Sequence, residues 1–169
     1  MPDREMMEAA QALLDLCARK KLTLGLAESC TGGLLAAALT DIPGSSRVLD
    51  RGFVTYSNEA KQQIGVALAT IERYGAVSRE TAEAMAKGVL ANAPVTLSAA
   101  ITGIAGPDGG APEKPVGLVH FAVAASRSGK LVHHEHRYGA IGRAQVRRAS
   151  VLRALAMLTE LADGEDFTN

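Results

Sequence analysis

The chain has 169 residues, 47% of them hydrophobic, and its 18 lysines and arginines balance 18 aspartates and glutamates. A chain of this length can bury its own core, so we predict one domain over 1–169, with a core at about 8–162 and a flexible tail at 163–169. A formal charge of zero excludes a general basic surface for nucleic acid or an anionic membrane.

No apolar run approaches the roughly 20 residues that a membrane-spanning helix needs. No signal peptide precedes the two cysteines, Cys17 and Cys30, so we expect them to be free thiols in a reducing compartment. We therefore predict a cytoplasmic protein that binds neither membrane nor nucleic acid.

The first half of the chain alternates helical and strand patterns. Apolar residues recur at helical spacing as far as Lys20, and a short apolar run then ends at a turn rich in glycine. Ser57 and Asn58 suit the start of a helix at Glu59. We predict helices at 3–20, at 34–39 and from 59, and strands at 22–27 and 48–56.

The second half continues the alternation and adds a hairpin. Ser78 suits the cap of a helix, and 126–130 has the length and composition of a hairpin loop. We predict helices at 79–93 and 143–162 and strands at 95–102, 116–125 and 131–138. Such an order indicates an α/β fold, a three-layer α/β/α sandwich around a mixed, mainly parallel sheet of about five strands.

Three informative segments, 28–33, 56–61 and 102–110, follow predicted strands. Ligands of open α/β sheets bind outside the carboxyl ends of the strands. A right-handed crossover between the first two strands would bring Ser29 and Lys61 to one edge of the sheet. The sequence thus permits a serine nucleophile with a lysine base.

Each of these residues also has a simpler interpretation. Ser29 or Thr31 can cap the following helix, Lys61 can be a surface lysine, and Tyr56 can be a packing residue. Cys30 is a rival nucleophile, because a helix N-terminus lowers the pKa of a thiol. No histidine lies near a strand end in the first half, so a Ser-His-Asp triad is hard to assemble.

Histidines 120, 133, 134 and 136 invite a metal interpretation, since two of them share a strand face. They have no cysteine partner, and the tract fits a polar outer strand better. We predict no metal site. The glycine-rich loop at 103–110 matches neither the Walker pattern nor the dinucleotide fingerprint, so by itself it identifies no ligand.

Four motifs in order resemble the C-terminal domain of the competence-damage protein CinA. They are AESCTGG at 27–33, TYSNEAK at 55–61, GAVS at 75–78 and TGIAGPDGG at 102–110. That family is known as nicotinamide-nucleotide amidase, which converts nicotinamide mononucleotide to nicotinate mononucleotide and ammonia. The resemblance implies Ser29 as nucleophile, Lys61 as general base and Tyr56 as their hydrogen-bonding companion, in an amidase that needs no cofactor.

The resemblance also implies a pocket lined by Thr102 and the glycine loop. Many relatives have Gly-Asp-Arg before the last helix, where this chain has Ile141, Gly142 and Arg143, and we consider Arg143 and Arg147 as ligands of a substrate phosphate. The substrate-binding residues that we predict are Glu28, Cys30, Thr31, Gly32, Gly33, Thr102, Gly103, Gly106, Arg143 and Arg147.

Two alternatives stay open at this point. The same glycine loops could hold a nucleotide in a non-catalytic sensor or protein-interaction domain, and an amidase could act on another amide or nucleotide. Full-length relatives carry an N-terminal domain with no counterpart in these 169 residues, so we expect none of the activity that such a domain would house. We expect a small-molecule nucleotide as substrate and a homo-oligomer as the assembled form.

Overall fold

A computed structural model describes residues 3–166. Each predicted element is present, with its ends shifted by at most two residues. The helices are α1 (Arg4–Lys20), α2 (Leu34–Thr40), α3 (Asn58–Gln63), α4 (Leu68–Tyr74), α5 (Arg79–Asn92) and α6 (Arg143–Asp163), and a 3₁₀ turn covers Ser45–Arg47. The strands are β1 (Leu24–Glu28), β2 (Leu49–Val54), β3 (Leu97–Gly103), β4 (Leu118–Ala125) and β5 (Leu131–Arg137).

The strands form one sheet in the order β2-β1-β3-β4-β5. Strand β1 pairs in parallel with β2 and β3, whereas β3 with β4 and β4 with β5 pair antiparallel. The predicted mixed sheet and its hairpin are confirmed, although the pairings divide equally between the two kinds. Four strands still run in one direction, which brings the ends of β1, β2 and β3 to a common edge.

Two apolar clusters cover the two faces of the sheet. Helices α1, α2 and α6 share one cluster, to which alternate β1 residues such as Leu24 and Leu26 contribute. Helix α5 packs on the opposite face, where Ala27 belongs to the second cluster. The three-layer sandwich is therefore confirmed. Strands β1 and β4 are buried along their whole length, as strands covered on both faces should be.

Side chains cap the helices at the predicted places. Ser57 Oγ accepts the backbone N–H of Ala60, and Ser78 Oγ accepts that of Thr81. Such bonds satisfy donors that the first turn of a helix leaves unpaired. The start of α3 is thereby fixed a few residues after the end of β2, which determines where Lys61 lies.

The first residues of the predicted tail are held by α1. Lys20 Nζ donates to the carbonyl oxygens of Ala162, Asp163 and Glu165 at 2.6 to 2.9 Å, and so satisfies acceptors at the end of α6. Residues 167–169 of that tail lie outside the described residues. No helix within 3–166 is both long enough and apolar enough to cross a membrane.

Candidate active site

Ser29 and Lys61 lie in direct contact at the edge of the sheet. Lys61 Nζ is 3.0 Å from Ser29 Oγ. Ser29 continues the line of β1, because its N–H donates to Ile101 O of β3, while Glu28 O accepts the N–H of Thr55 after β2. The parallel pairing of β1 with β2 therefore joins two residues that are 32 positions apart.

The Lys61 amine is enclosed by protein. The side chain is 1% exposed, and its Nζ also lies 2.7 Å from Thr55 O and 3.4 Å from Tyr56 O. None of the ion pairs formed within 3–166 includes Lys61. Burial lowers the pKa of Lys61 from its ordinary value of 10.5, because a charged amine is poorly solvated there. The neutral amine that a general base requires is thereby favoured.

Cys30, the rival nucleophile, is in a poor environment for a thiolate. It is 6% exposed, and burial raises the pKa of its thiol to about 11. The thiolate is the nucleophilic form of cysteine, so this side chain is held in its unreactive state near neutral pH. The geometry favours the Ser29 hydroxyl as attacking group.

The backbone after Ser29 offers a donor for a developing oxyanion. The N–H of Gly32 is already used, since it donates to Ser29 O, and that of Leu34 donates to Thr31 O. The N–H of Cys30 makes no backbone–backbone hydrogen bond within the described part of the chain. Cys30 lines the cavity beside Ser29, which makes its N–H the candidate donor for a substrate oxygen. In the structure this N–H interacts with the thiol of the same residue.

A cavity of about 280 Å³ opens in front of the Ser29–Lys61 pair. Eight predicted site residues line it, and six others join them. The predicted ones are Ser29, Cys30, Tyr56, Lys61, Thr102, Gly103, Gly106 and Arg143, and the others are Ala76, Val77, Ile104, Ala105, Asp108 and Gly109. Ala76 and Val77 were not predicted as site residues. They belong to the GAVS motif, to which we assigned no role, and they precede α5 and do not follow a strand.

The loop after β3 is fixed by close contacts. A Cβ at Gly103 would lie 2.7 Å from Val119 Cγ2 and 2.9 Å from Leu118 O, so only glycine fits against β4. Thr102 Oγ1 donates to Ala76 O at 2.8 Å, which ties this loop to the segment before α5. Two lining segments of the cavity are thus joined by a hydrogen bond.

Arg143, the first residue of α6, lines the cavity and is exposed to solvent, so it lies at the mouth of the cavity. Its Nη1 donates to Gly106 O at 2.9 Å and its Nη2 to the Tyr56 hydroxyl at 3.0 Å. Tyr56 is 60% exposed, and no hydrogen bond joins it to Ser29 within 3–166. Tyr56 was predicted as a hydrogen-bonding companion of the Ser29–Lys61 pair, and it bonds to that pair through its carbonyl oxygen, at 3.4 Å from Lys61 Nζ. Its hydroxyl is bonded to Arg143 instead.

Glu28 does not line the cavity, and its predicted role in substrate binding is corrected. Both carboxylate oxygens accept backbone N–H groups of α2, from Leu35 at 2.8 Å and from Ala36 at 3.0 Å. Side chains alternate along β1, so Glu28 points to the α2 face of the sheet while Ser29 points to Lys61. Glu28 supports the loop that carries the nucleophile.

Four more residues that we predicted to bind substrate do not line the cavity: Thr31, Gly32, Gly33 and Arg147. Arg147 Nη2 donates to Thr31 O at 3.0 Å, and neither residue lines the cavity. Gly32 and Gly33 have φ values of +58° and +99°, which allow the sharp turn from β1 into α2. Thr31, Gly32, Gly33 and Arg147 therefore shape the loop after Ser29. Of the two arginines predicted to bind substrate, only Arg143 lines the cavity.

A family model of the CinA C-terminal domain matches residues 6–162, which is nearly the whole chain. The chain belongs to the CinA C-terminal domain family. A relative named CinA-like protein, from Syntrophotalea carbinolica, is 51% identical over 138 residues, which cover 81% of this chain and 33% of the relative. The chain thus spans about a third of the length of the curated relatives that it matches.

Two solved structures match this chain over almost their full length. The competence/damage inducible protein CihA from Agrobacterium tumefaciens has a TM-score of 0.93 at 51% identity, covering 95% of this chain and 98% of that chain. A CinA superfamily protein from Escherichia coli has a TM-score of 0.88 at 35% identity, covering 95% and 93%. The fold and the family identified from the four motifs are therefore confirmed.

The histidines of this CinA domain lie away from the cavity. His120 Nδ1 and His133 Nε2 are 2.9 Å apart on β4 and β5, and His134 and His136 stack on the outer strand. Within 3–166 no group of three histidine, cysteine, aspartate or glutamate side chains is arranged to hold a metal ion. The absence of a metal from the reaction stays a prediction.

The role of Glu28 in the CinA domain can be tested by its removal. Glu28→Ala leaves two N–H groups of α2 without their acceptors, and we expect it to lower the free energy of unfolding by roughly 2–3 kcal/mol. Glu28→Gln keeps one acceptor oxygen and should cost less. Urea unfolding followed by circular dichroism measures both. Unchanged stability with a raised KM would instead make Glu28 a substrate ligand.

Proposed function

We propose that this chain hydrolyses the amide of nicotinamide mononucleotide, giving nicotinate mononucleotide and ammonia, with Ser29 as nucleophile and Lys61 as general base. The observation that carries the proposal is the contact of 3.0 Å between Lys61 Nζ and Ser29 Oγ at the floor of a cavity. A buried lysine with a lowered pKa can take the serine proton, which is the task that histidine performs in the usual triad.

The reaction proceeds in two halves. Lys61 Nζ takes the proton of Ser29 Oγ as the oxygen attacks the carboxamide carbon, and the Cys30 N–H stabilises the oxyanion. The C–N bond then breaks, and the lysine returns the proton to the leaving nitrogen, which departs as ammonia. In the second half water loses a proton to Lys61 and attacks the ester carbon. The bond from that carbon to Ser29 Oγ breaks, Lys61 returns its proton to Ser29 Oγ, and the product leaves as the carboxylate after its acid proton passes to solvent.

Arg143 is the group that we assign to the substrate phosphate. Its guanidinium lies at the mouth of the cavity and is exposed, while Arg147 is bonded beneath the loop at Thr31. A guanidinium keeps its charge at any working pH and can offer two parallel donors to a phosphate. Binding at this end would direct the amide end of the substrate towards Ser29.

Every step of this scheme uses groups of the chain and water, so the proposed reaction needs no metal or organic cofactor. The cytoplasmic location and the homo-oligomer belong to the same proposal. The apolar part of the lining suits the flat ring of the proposed substrate. The ring can pack against Ala76, Val77, Ile104 and Ala105.

The proposal is tested by incubating the purified chain with nicotinamide mononucleotide and measuring ammonia and nicotinate mononucleotide. We expect the two products in equal amounts. Tight binding of the nucleotide without either product would identify a sensor domain instead. Release of free nicotinamide would show cleavage at the ribose rather than at the amide, and would equally overturn the proposal.

A further inference from the structure

The cavity contains one acidic side chain that the reaction scheme does not use. Among its lining residues the charged ones are Asp108, Lys61 and Arg143. Lys61 is buried in contact with Ser29, whereas Asp108 and Arg143 are exposed side chains of the lining, a carboxylate and a guanidinium. The site therefore offers one negative and one positive group to a ligand.

Asp108 is carried by a loop whose position is set by packing. A Cβ at Gly106 would lie 2.5 Å from Val116 Cγ1, and one at Gly110 would lie 2.8 Å from Val116 N. Beyond Gly110, Ala111 and Lys114 exchange two backbone hydrogen bonds, which close the loop. The backbone on both sides of Asp108 packs tightly against Val116, and this packing fixes the position of Asp108 in the lining.

The Asp108 carboxylate is not neutralised by the protein around it. It is exposed, and it takes part in none of the ion pairs or side-chain hydrogen bonds found within 3–166. Asp108 lines the same cavity as Ser29 and Lys61, so a charged group of a ligand bound there interacts electrostatically with its carboxylate.

We propose that Asp108 is a specificity residue that selects ligands with a positively charged pyridinium ring over those with a neutral ring. The inference rests on the proposed function, in which the substrate carries a cationic ring at one end and a phosphate at the other. The cationic ring would pair with the Asp108 carboxylate, and the phosphate would pair with the Arg143 guanidinium. The carboxylate stabilises the bound cation by charge alone, so it contributes to binding and takes no part in proton transfer.

The test compares two ligands that differ in ring charge. Nicotinamide mononucleotide has a cationic ring, whereas its 1,4-dihydro form has a neutral ring on the same ribose phosphate. Calorimetric titration of both into Ser29→Ala and into Ser29→Ala with Asp108→Asn gives their dissociation constants without turnover. Glu113→Gln is the matched control, because it removes an exposed acid of the same loop that does not line the cavity.

We expect Asp108→Asn to weaken binding of the cationic nucleotide about three- to fivefold, the effect of one partly screened charge pair, and to leave binding of the dihydro form unchanged. In the enzyme with Ser29 intact the same change should appear in KM and not in kcat, and should shrink in high salt. Glu113→Gln should change neither ligand.

Two results would overturn the inference. Equal weakening of both ligands would mean that Asp108 contacts the ribose or supports the loop, and no change for either would mean that it plays no part in binding. These titrations are independent of turnover. An inactive wild-type chain would therefore refute the amidase, while the ratio of the two dissociation constants would still decide the role of Asp108.

Discussion

Ser29→Ala is expected to abolish amide hydrolysis, with a loss in kcat of about 10⁴-fold or more, as is found when a nucleophile of a hydrolase is removed. The alanine cannot form the ester through which the reaction is split into two steps. The measurement is ammonia release from nicotinamide mononucleotide by equal amounts of the two proteins. Binding of the nucleotide should change little, because the hydroxyl is a small part of the lining.

Cys30→Ala is the matched control for this experiment. The neighbouring side chain is removed, but its thiol has a pKa of about 11 and its N–H, which the scheme uses, is kept. We expect this variant to retain most of the activity. The reverse ranking, with Cys30→Ala inactive and Ser29→Ala active, would identify a cysteine enzyme and contradict the proposed mechanism.

Lys61→Arg should be nearly as damaging as Lys61→Met, with losses of about 10²–10⁴-fold, the usual contribution of a general base. A guanidinium keeps the positive charge but cannot give up its proton in the working range of pH. The similar loss in the two variants separates a base from a residue that acts only by its charge. Steady-state kinetics on both variants provides the measurement.

Both substitutions fall at a side chain that is 1% exposed, so their folding has to be checked by circular dichroism and thermal unfolding. Ser29→Ala, in which Lys61 is intact, serves as the folded and inactive reference. If folded Lys61→Arg keeps more than about a tenth of the activity, Lys61 is an electrostatic residue, and the base is a bound water or Tyr56.

Elements with clear local patterns were predicted from the sequence, and one without such a pattern was missed. Helix α4 begins after Ala67, which offers no side-chain cap, and only Ile71 of its seven residues is buried. Periodicity and capping residues are the signals by which a helix is recognised, and α4 has neither. The hairpin of β4 and β5, with its polar loop, was by contrast predicted correctly.

The candidate site was predictable where it depends on strand order and not where it depends on side-chain direction. Lys61 has no local sign of a catalytic role, and the parallel pairing of β1 with β2 brings it to Ser29. Arg143 and Arg147 share a helix face in the sequence, yet one lines the cavity and the other is bonded to Thr31. Contacts of this kind depend on the tertiary packing of α6.

Glu28 illustrates the same limit. An acid beside a nucleophile suggests catalysis or substrate binding, but its carboxylate accepts N–H groups seven and eight residues further along the chain. Usual capping residues accept from positions two or three residues ahead, so this spacing gives no recognisable signal. The bond exists because the turn after Ser29 folds α2 back over the end of β1.

The central claim is that a buried, neutral Lys61 takes the proton of Ser29, and the pH dependence of kcat/KM tests it most directly. Burial lowers the pKa of Lys61 below 10.5, so its neutral fraction grows as the pH rises through that lowered value. We predict that kcat/KM for nicotinamide mononucleotide rises with pH along a single limb whose midpoint lies below 10.5, and that this limb is absent from the residual activity of Lys61→Met. A flat profile, a midpoint at the ordinary value of a lysine, or the same limb in Lys61→Met would contradict it.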